Sequence, residues 1–280
     1  MSTSGQTEVL QWGLPRLRDL PWRHTRDPWA ILVSEVMLQQ TQAPRVIPKW
    51  LAFLDAYPTA PSCAAASLGD VLRLWQGLGY PRRAKNLHAA AQEIVRHGAF
   101  PSTLEDLLQL PGVGQYTARA LLAFAFECDV AVVDTNIARV LARVSGRRLT
   151  AREVQAAADA ALPPGNSWAW NQCLMDVGAV LCRPLAPRCH ECPLREHCSW
   201  RREGEDPAAG SAGVSRSQAR FQGSDRQARG RLMKALAQGA VPFDDAPALM
   251  GCDVARADRL IAALIGEGLL TRGCSTLTLP

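Results

Sequence analysis

The sequence predicts a mainly α-helical protein, on three observations. Apolar residues recur at three- and four-residue spacing from about residue 6 to 200, as in Ile31, Leu32, Val36, Met37 and Leu38, and again in Leu121, Leu122, Phe124 and Ala125. No alternating apolar–polar run in that region argues for a sheet. Pro and Gly punctuate short connections, as expected between packed helices. With 280 residues the chain is long enough for about two domains, and an apolar fraction of 48% allows ordinary cores.

The first helix of interest carries Ile31-Leu-Val-Ser-Glu-Val-Met-Leu-Gln-Gln-Thr41. A carboxylate in so apolar a stretch, Glu35, lies either on a solvated face or toward a cleft. In a cleft, burial raises its pKa and suits it to act as a general acid. Gln39, Gln40, Thr41 and Gln42 offer uncharged hydrogen-bonding groups suited to base edges. Further on, Ser102 as cap and Glu105 as its partner predict a capping box and a short helix. That helix stops at Leu110-Pro-Gly-Val-Gly114, and a second begins near Gln115. Gly112 and Gly114 permit a tight turn with positive backbone angles and keep side chains away from its amides. Those amides and the next helix N-terminus then converge on one point, which suits a phosphate. Val132-Val-Asp-Thr-Asn-Ile137 next delivers Asp134 to a helix N-terminus, where a carboxylate accepts backbone amides and stays ionised.

Cys182, Cys189, Cys192 and Cys198 follow as C-x6-C-x2-C-x5-C. The segment is too short and polar to bury four thiols as core. Four thiolates suit an iron–sulfur cluster or a structural zinc. Spacing alone does not separate the two, but only Cys189-x2-Cys192 resembles a zinc knuckle, and the longer gaps favour a cluster held by one loop. No N-terminal stretch reads as a signal peptide and no apolar run is long enough for a membrane, so a reducing compartment is expected and disulfides are not. Cys63, Cys128, Cys173, Cys252 and Cys274 read as ordinary thiols.

The net charge is +5, and only three of 31 basic residues are lysines, Lys49, Lys85 and Lys234. Clusters at Arg82-Arg83-Ala84-Lys85, Gly146-Arg147-Arg148 and Arg201-Arg202 point to an anionic partner such as nucleic acid. Residues 203–222 turn Gly/Ala/Ser-rich and read as a linker. In residues 223–280, Ser224 caps a first helix, others are expected near Ala246–Met250 and from about Val254 to Gly266, and two β-prone runs around Gly273 form a hairpin. This pattern is winged-helix-like.

Together and in this order, these elements resemble the helix–hairpin–helix DNA glycosylases that carry a catalytic Asp and often a 4Fe-4S cluster. Within them the likeness is greatest to the adenine DNA glycosylases, which act on adenine mispaired with 8-oxoguanine or guanine. It covers roughly residues 8–200 and rests on Leu20-Pro-Trp-Arg23, Ser34-Glu-Val-Met-Leu-Gln-Gln-Thr41, Gly77-Leu-Gly-Tyr80, Leu110–Gly114, Val133-Asp-Thr-Asn136 and the cysteine spacing. The resemblance implies Glu35 as the acid that protonates adenine and Asp134 as the anion that stabilises the sugar cation or bonds to it. It implies Tyr116 in the active site and Asn136 in support of Asp134. Arg18, Leu20, Trp22 and Arg23 would form the adenine pocket, Gln39 and Tyr80 the wedge in the duplex, and the four cysteines the ligands of a 4Fe-4S cluster. The chemistry agrees: adenine leaves once protonated, and the oxocarbenium-like sugar needs an anion beside it. The base must also leave the stack.

Three departures accompany the resemblance. Thr135 stands where many relatives have Gly, and Asp176 stands where relatives often have Glu. The C-terminal segment is far shorter than the usual domain that inspects 8-oxoguanine, as in actinobacterial-type members. The expected organisation is an iron–sulfur domain from residues 1–24 and 131–202, a six-helix barrel with the hairpin over 25–130, the linker, and the module at 223–280. Expected partners are duplex DNA with A:8-oxoguanine or A:G mispairs, acted on by a monomer in the cytoplasm and nucleoid, with no membrane. One alternative is an endonuclease III-like pyrimidine glycosylase, whose lyase step needs a lysine where this chain has Tyr116. Others are a thymine mismatch glycosylase and a non-catalytic, zinc-containing DNA-binding module.

Overall fold

The computed structural model describes residues 2–215 and 220–280. In chain order the helices are α1 (Thr3–Gly13), α2 (Pro28–Leu38), α3 (Ala43–Ala56), α4 (Ala60–Ala64), α5 (Leu68–Leu74), α6 (Arg82–His97) and α7 (Leu104–Gln109). They continue as α8 (Gln115–Phe124), α9 (Thr135–Ser145), α10 (Ala151–Ala161), α11 (Ser167–Asp176), α12 (Asp225–Leu236), α13 (Ala246–Met250) and α14 (Val254–Gly266). The chain divides into two compact units: residues 2–31, 102–108 and 113–215 form one, and residues 32–101, 109–112 and 220–280 the other.

In the first unit α1 packs on α11, and α9 packs on α10 and α11. Its core includes Trp170, Ile137, Leu174, Leu121 and Leu194. α9 has an apolar face and ends at Gly146 in a left-handed cap, φ +71°, the conformation glycine adopts without cost. After α11 the chain continues as a π-helical turn, Val177–Leu181. In the second unit α4 and α5 pack on α6 around Phe53, Leu72 and Leu87. Phe53 meets Tyr57 and Trp75 edge to face.

Several expectations shift in detail. The cap of α7 is Thr103, whose Oγ1 accepts from the Asp106 amide at 3.2 Å, one residue later than the Ser102–Glu105 frame. The run Ser-Thr-Leu-Glu-Asp offers both frames, and packing of Leu107 in the core selects one. Gly112 has φ +80°, whereas Gly114 has φ −100° and extended backbone, so only the first needs glycine for conformation.

The first half of the expected linker is anchored: Ala212 donates to Leu149 O at 2.9 Å, Leu149 donates to Ser211 Oγ at 3.0 Å, and Ala208 and Ser211 are buried. Composition cannot reveal this, because small residues suit close packing as well as flexibility. Residues 216–219 of that linker lie outside the described residues.

Residues 225–279 contain the three expected helices and the hairpin, β2 (Thr271–Arg272) with β3 (Thr276–Thr278). A strand that was not expected, Val241–Pro242, pairs on the other side of β3 to complete a three-stranded antiparallel sheet. The segment packs within the second unit. Gln76 donates to Met233 O at 3.2 Å, Lys85 to Glu267 O at 2.5 Å, and the Gly69 amide to Pro280 O at 3.0 Å.

Candidate active site

Asp134 is the N-cap of α9. Its carboxylate accepts from the Asn136 amide at 3.0 Å, the Ile137 amide at 2.7 Å and Asn136 Nδ2 at 2.7 Å. Desolvation pushes its pKa up, and the bonds from Ile137 and Asn136, with the charge of Arg139, offset only part of this, so the net direction is upward. Asn136 is itself held, since its Oδ1 accepts from Arg139 Nη2 at 2.8 Å. Arg139 is buried and also donates to Cys182 O at 2.6 Å and Gly178 O at 2.7 Å. α9 approaches the π-helical turn so closely that a Cβ on Gly178 would lie 2.6 Å from Asn136 Cβ and 2.9 Å from its carbonyl oxygen. The carboxylate thus ends a chain of contacts that begins at the first cysteine of the loop. Thr135 Oγ1 lies 2.7 Å from Ser215 Oγ and accepts from the Ser215 amide at 2.8 Å. Tyr116 lies half-buried in the first turn of α8, shortly after the exposed Gly112 and Gly114.

Asp176 gathers the residues matched to the adenine pocket. It is 1% exposed and accepts from Arg23 Nη1 and Nη2 at 2.9 and 2.8 Å, from Arg18 Nε at 2.7 Å and from the Arg18 amide at 2.9 Å. Burial pushes its carboxyl up, but Arg23 and then Arg18 outweigh this and hold it below the usual carboxylate range. Arg23 also donates to Arg18 O at 3.0 Å. Leu20 and Trp22 are buried between them in sequence. Arg23 therefore spends its guanidinium inside the protein, and the Arg18 and Asp176 side chains fix the same segment.

In the second unit, Glu35 is 5% exposed on α2. Gln39 and Tyr80 are tied to one another by a residue that sequence reasoning had placed in a basic surface cluster. Arg83 is buried and donates to the carbonyls of Val36 (2.9 Å), Met37 (2.9 Å), Gln39 (2.6 Å), Leu78 (3.0 Å) and Gly79 (3.1 Å). Its guanidinium lies 5.5 Å from the rings of both Trp75 and Tyr80. Burial pushes its pKa down to about 10. It joins the C-terminal end of α2 to the Gly77–Tyr80 loop, and the anionic partner expected for the cluster is left to exposed Arg82.

The four cysteines line one cavity, together with Val140, Leu181, Leu194, Trp200 and Arg143. Among the described residues no three His, Cys, Asp or Glu side chains are grouped so as to hold a metal ion. Burial pushes the Cys192 thiol up to about 12, and the other three thiols push the same way. Arg143, fully buried, donates from Nη1 to Cys182 Sγ at 3.4 Å and is clamped by Asp206 at 3.0 and 2.6 Å and by Trp200, 4.5 Å from its ring. Arg139 and Arg143 were missed at the sequence level. Their signal was two arginines at i, i+4 on either side of the apolar residues Val140–Ala142.

The HhH-GPD superfamily of base excision DNA repair proteins matches residues 33–164. An adenine DNA glycosylase of Mycobacterium tuberculosis is 43% identical over 277 residues, covering 95% of this chain and 90% of that protein. The human adenine DNA glycosylase is 38% identical over 220 residues, covering 72% of this chain and 40% of its own length. Among solved structures, a thermostable thymine-DNA glycosylase aligns with TM-score 0.68 at 30% identity, over 71% of this chain and 95% of that one. An endonuclease III in a non-covalent DNA complex shares the fold, with TM-score 0.62 at 23% identity over 71% of this chain and 96% of that one. The chain belongs to the adenine DNA glycosylases of the HhH-GPD superfamily.

Proposed function

We propose that this chain hydrolyses the N-glycosidic bond of adenine mispaired with 8-oxoguanine or guanine in duplex DNA, leaving an intact abasic site. The observation that carries the reading is the setting of Asp134: an N-cap carboxylate with three donors, backed by Asn136 and Arg139. Such an anion opposes the positive charge that develops on the sugar as the base leaves. Glu35 donates the proton that turns adenine into a leaving group, and its burial on α2 suits that role. Gly112 and Gly114 present the hairpin amides to a phosphate. Gln39 and Tyr80 wedge into the stack while Leu20, Trp22 and the Arg18–Arg23–Asp176 cluster shape the pocket for the extruded base. A lyase step needs an amine, and position 116 is tyrosine.

Cys182, Cys189, Cys192 and Cys198 would hold a 4Fe-4S cluster, which would brace the loop that carries the Arg139 contact. The donor set supports this: four thiols face one cavity, lined besides by apolar residues and by Arg143, Arg188, Arg195 and Arg201. Buried thiols ionise together only against a compensating cation. The working form is a monomer on duplex DNA in the cytoplasm and nucleoid; among the described residues no helix is long and apolar enough to cross a membrane.

The likeness to a thymine-DNA glycosylase structure at 30% identity favours a second reading, removal of thymine opposite guanine. Purified protein on duplexes with A opposite 8-oxoguanine, A opposite G, and T opposite G decides between them. Adenine release with strand breakage only after alkali is the expected result. Release of thymine alone, or borohydride trapping of a protein–DNA adduct, overturns the proposal.

A further inference from the structure

The second unit contains a groove that the proposed reaction uses only at Tyr80, the wedge residue in its lining. It runs between the loops at residues 40–45 and 76–82 and one face of α12, with a volume of about 840 Å³. Its lining holds six cations, Arg45, Arg82, Arg226, Arg229, Arg231 and Lys234, against two carboxylates, Asp225 and Glu267. Both carboxylates are already engaged. Asp225 holds Arg256 at 2.7 Å and Arg259 at 3.2 Å, and Glu267 holds Arg229 at 2.6 Å. The two α14 arginines are therefore used within the protein, and the groove keeps an excess of positive charge.

Two further observations point to a ligand. Gly230 lies in the middle of α12, on the face that lines the groove. Glycine inside a helix is destabilising relative to alanine, and a Cβ there would meet no atom within 4 Å. Packing does not require it, but close approach of a ligand to the helix backbone would. The second is Tyr80, 37% exposed, with φ +49°. A left-handed non-glycine residue is strained and persists where its surroundings fix it, commonly at binding sites. Arg226 on α12 donates from Nη1 to the Tyr80 hydroxyl at 2.7 Å. Phe221, 56% exposed, adds a second ring to the lining, with Arg226 5.7 Å from its centre.

Aromatic faces beside a cationic channel form the recognition set for a nucleic-acid strand: rings stack on bases and cations track the phosphates. We propose that this groove binds a short stretch of one DNA strand next to Tyr80. Arg231 and Lys234 take its phosphates, Gly230 admits it to the α12 backbone, and Arg226 positions the Tyr80 ring. The inference rests on the reading of the chain as a DNA glycosylase and adds a strand-binding site built by the short C-terminal segment.

The test uses the full chain and fluorescence anisotropy with a labelled duplex carrying A opposite 8-oxoguanine, over a range of salt. Arg231→Glu with Lys234→Glu should weaken binding by at least ~10-fold at low salt and flatten the slope of log K against log salt by about 2, close to one for each phosphate no longer neutralised. Gly230→Ala should raise the melting temperature by about 2 °C, because alanine favours the helix, yet weaken the duplex affinity several-fold. A folding defect cannot produce that pair of effects. Wild-type affinity and salt slope in the charge reversals, or stabilisation by Gly230→Ala with unchanged affinity, overturns the inference. The two readings fail separately. An unaltered chain that binds the duplex through these residues but releases no base overturns the proposed reaction alone, whereas an active chain whose variants bind like wild type overturns only the groove.

Discussion

Asp176→Asn isolates the buried charge cluster of the first unit. The substitution keeps shape and removes charge. Asp176 accepts four hydrogen bonds, three from arginine side chains and one from a backbone amide. Asparagine retains one acceptor oxygen and turns an NH2 group toward donors. Arg23, whose side chain is 5% exposed, is then left as a buried charge without its counter-ion. Breaking one partner of such a pair costs about 3–5 kcal/mol, a large part of the ~5–15 kcal/mol that holds a typical domain.

In urea this corresponds to a midpoint lowered by about 1–2 M, read by tryptophan fluorescence and circular dichroism. The pH dependence follows from the depressed pKa. A carboxyl held below its unfolded value stabilises the fold above that value, and the contribution is lost as pH falls through the folded pKa. The gap between wild type and Asp176→Asn should be full at pH 7 and narrow only below about pH 4. Arg23→Met combined with Asp176→Leu should cost much less than Asp176→Asn alone, because no charge is stranded. Equal midpoints at pH 7, or a gap that acid leaves unchanged, would refute the argument.

Asp134 gives the opposite sign. Its pKa is raised, so the ionised form needed beside the sugar cation appears only above the ordinary value of 3.8, and the acid limb of single-turnover adenine release should lie above that pH. Asn136→Ala removes one donor to the carboxylate and should move the limb further up; a limb at or below 3.8, or one that does not move, counts against Asp134. Asp134→Asn and Glu35→Gln should each abolish release while duplex affinity is retained, and near-normal turnover by either removes that residue from the mechanism. Elemental analysis should find about four irons per chain and no stoichiometric zinc, with Cys198→Ser unstable or colourless; one zinc per chain would overturn the cluster. Arg83→Ala strips the donor from five backbone carbonyls and should cost at least ~3 kcal/mol, seen as a lowered thermal midpoint; an unchanged midpoint contradicts the bridging role.

Local signals carried most of the chemistry in the sequence. An N-cap carboxylate, a Gly-x-Gly turn between helices and four closely spaced cysteines are each defined within a few residues, so their identity and spacing suffice to place Asp134 at a helix N-terminus, Gly112 in a turn with positive φ and the four thiols around one cavity. Helical periodicity likewise gave the mainly helical class and the three helices of the C-terminal segment. What the sequence could not contain is which polar groups face inward. Arg83 and Arg82 are neighbours in one basic run, yet a helix turn sends one into the protein to collect carbonyls and leaves the other in solvent. Arg139 and Arg143, missed in the sequence, are the struts between Asn136, Asp206 and the cysteine loop. Residues 206–212 read as linker because composition reports flexibility, not the partners that small residues find. Burial of a charge depends on residues far away in sequence that supply its counter-charge and hydrogen bonds, and only the tertiary structure brings those together.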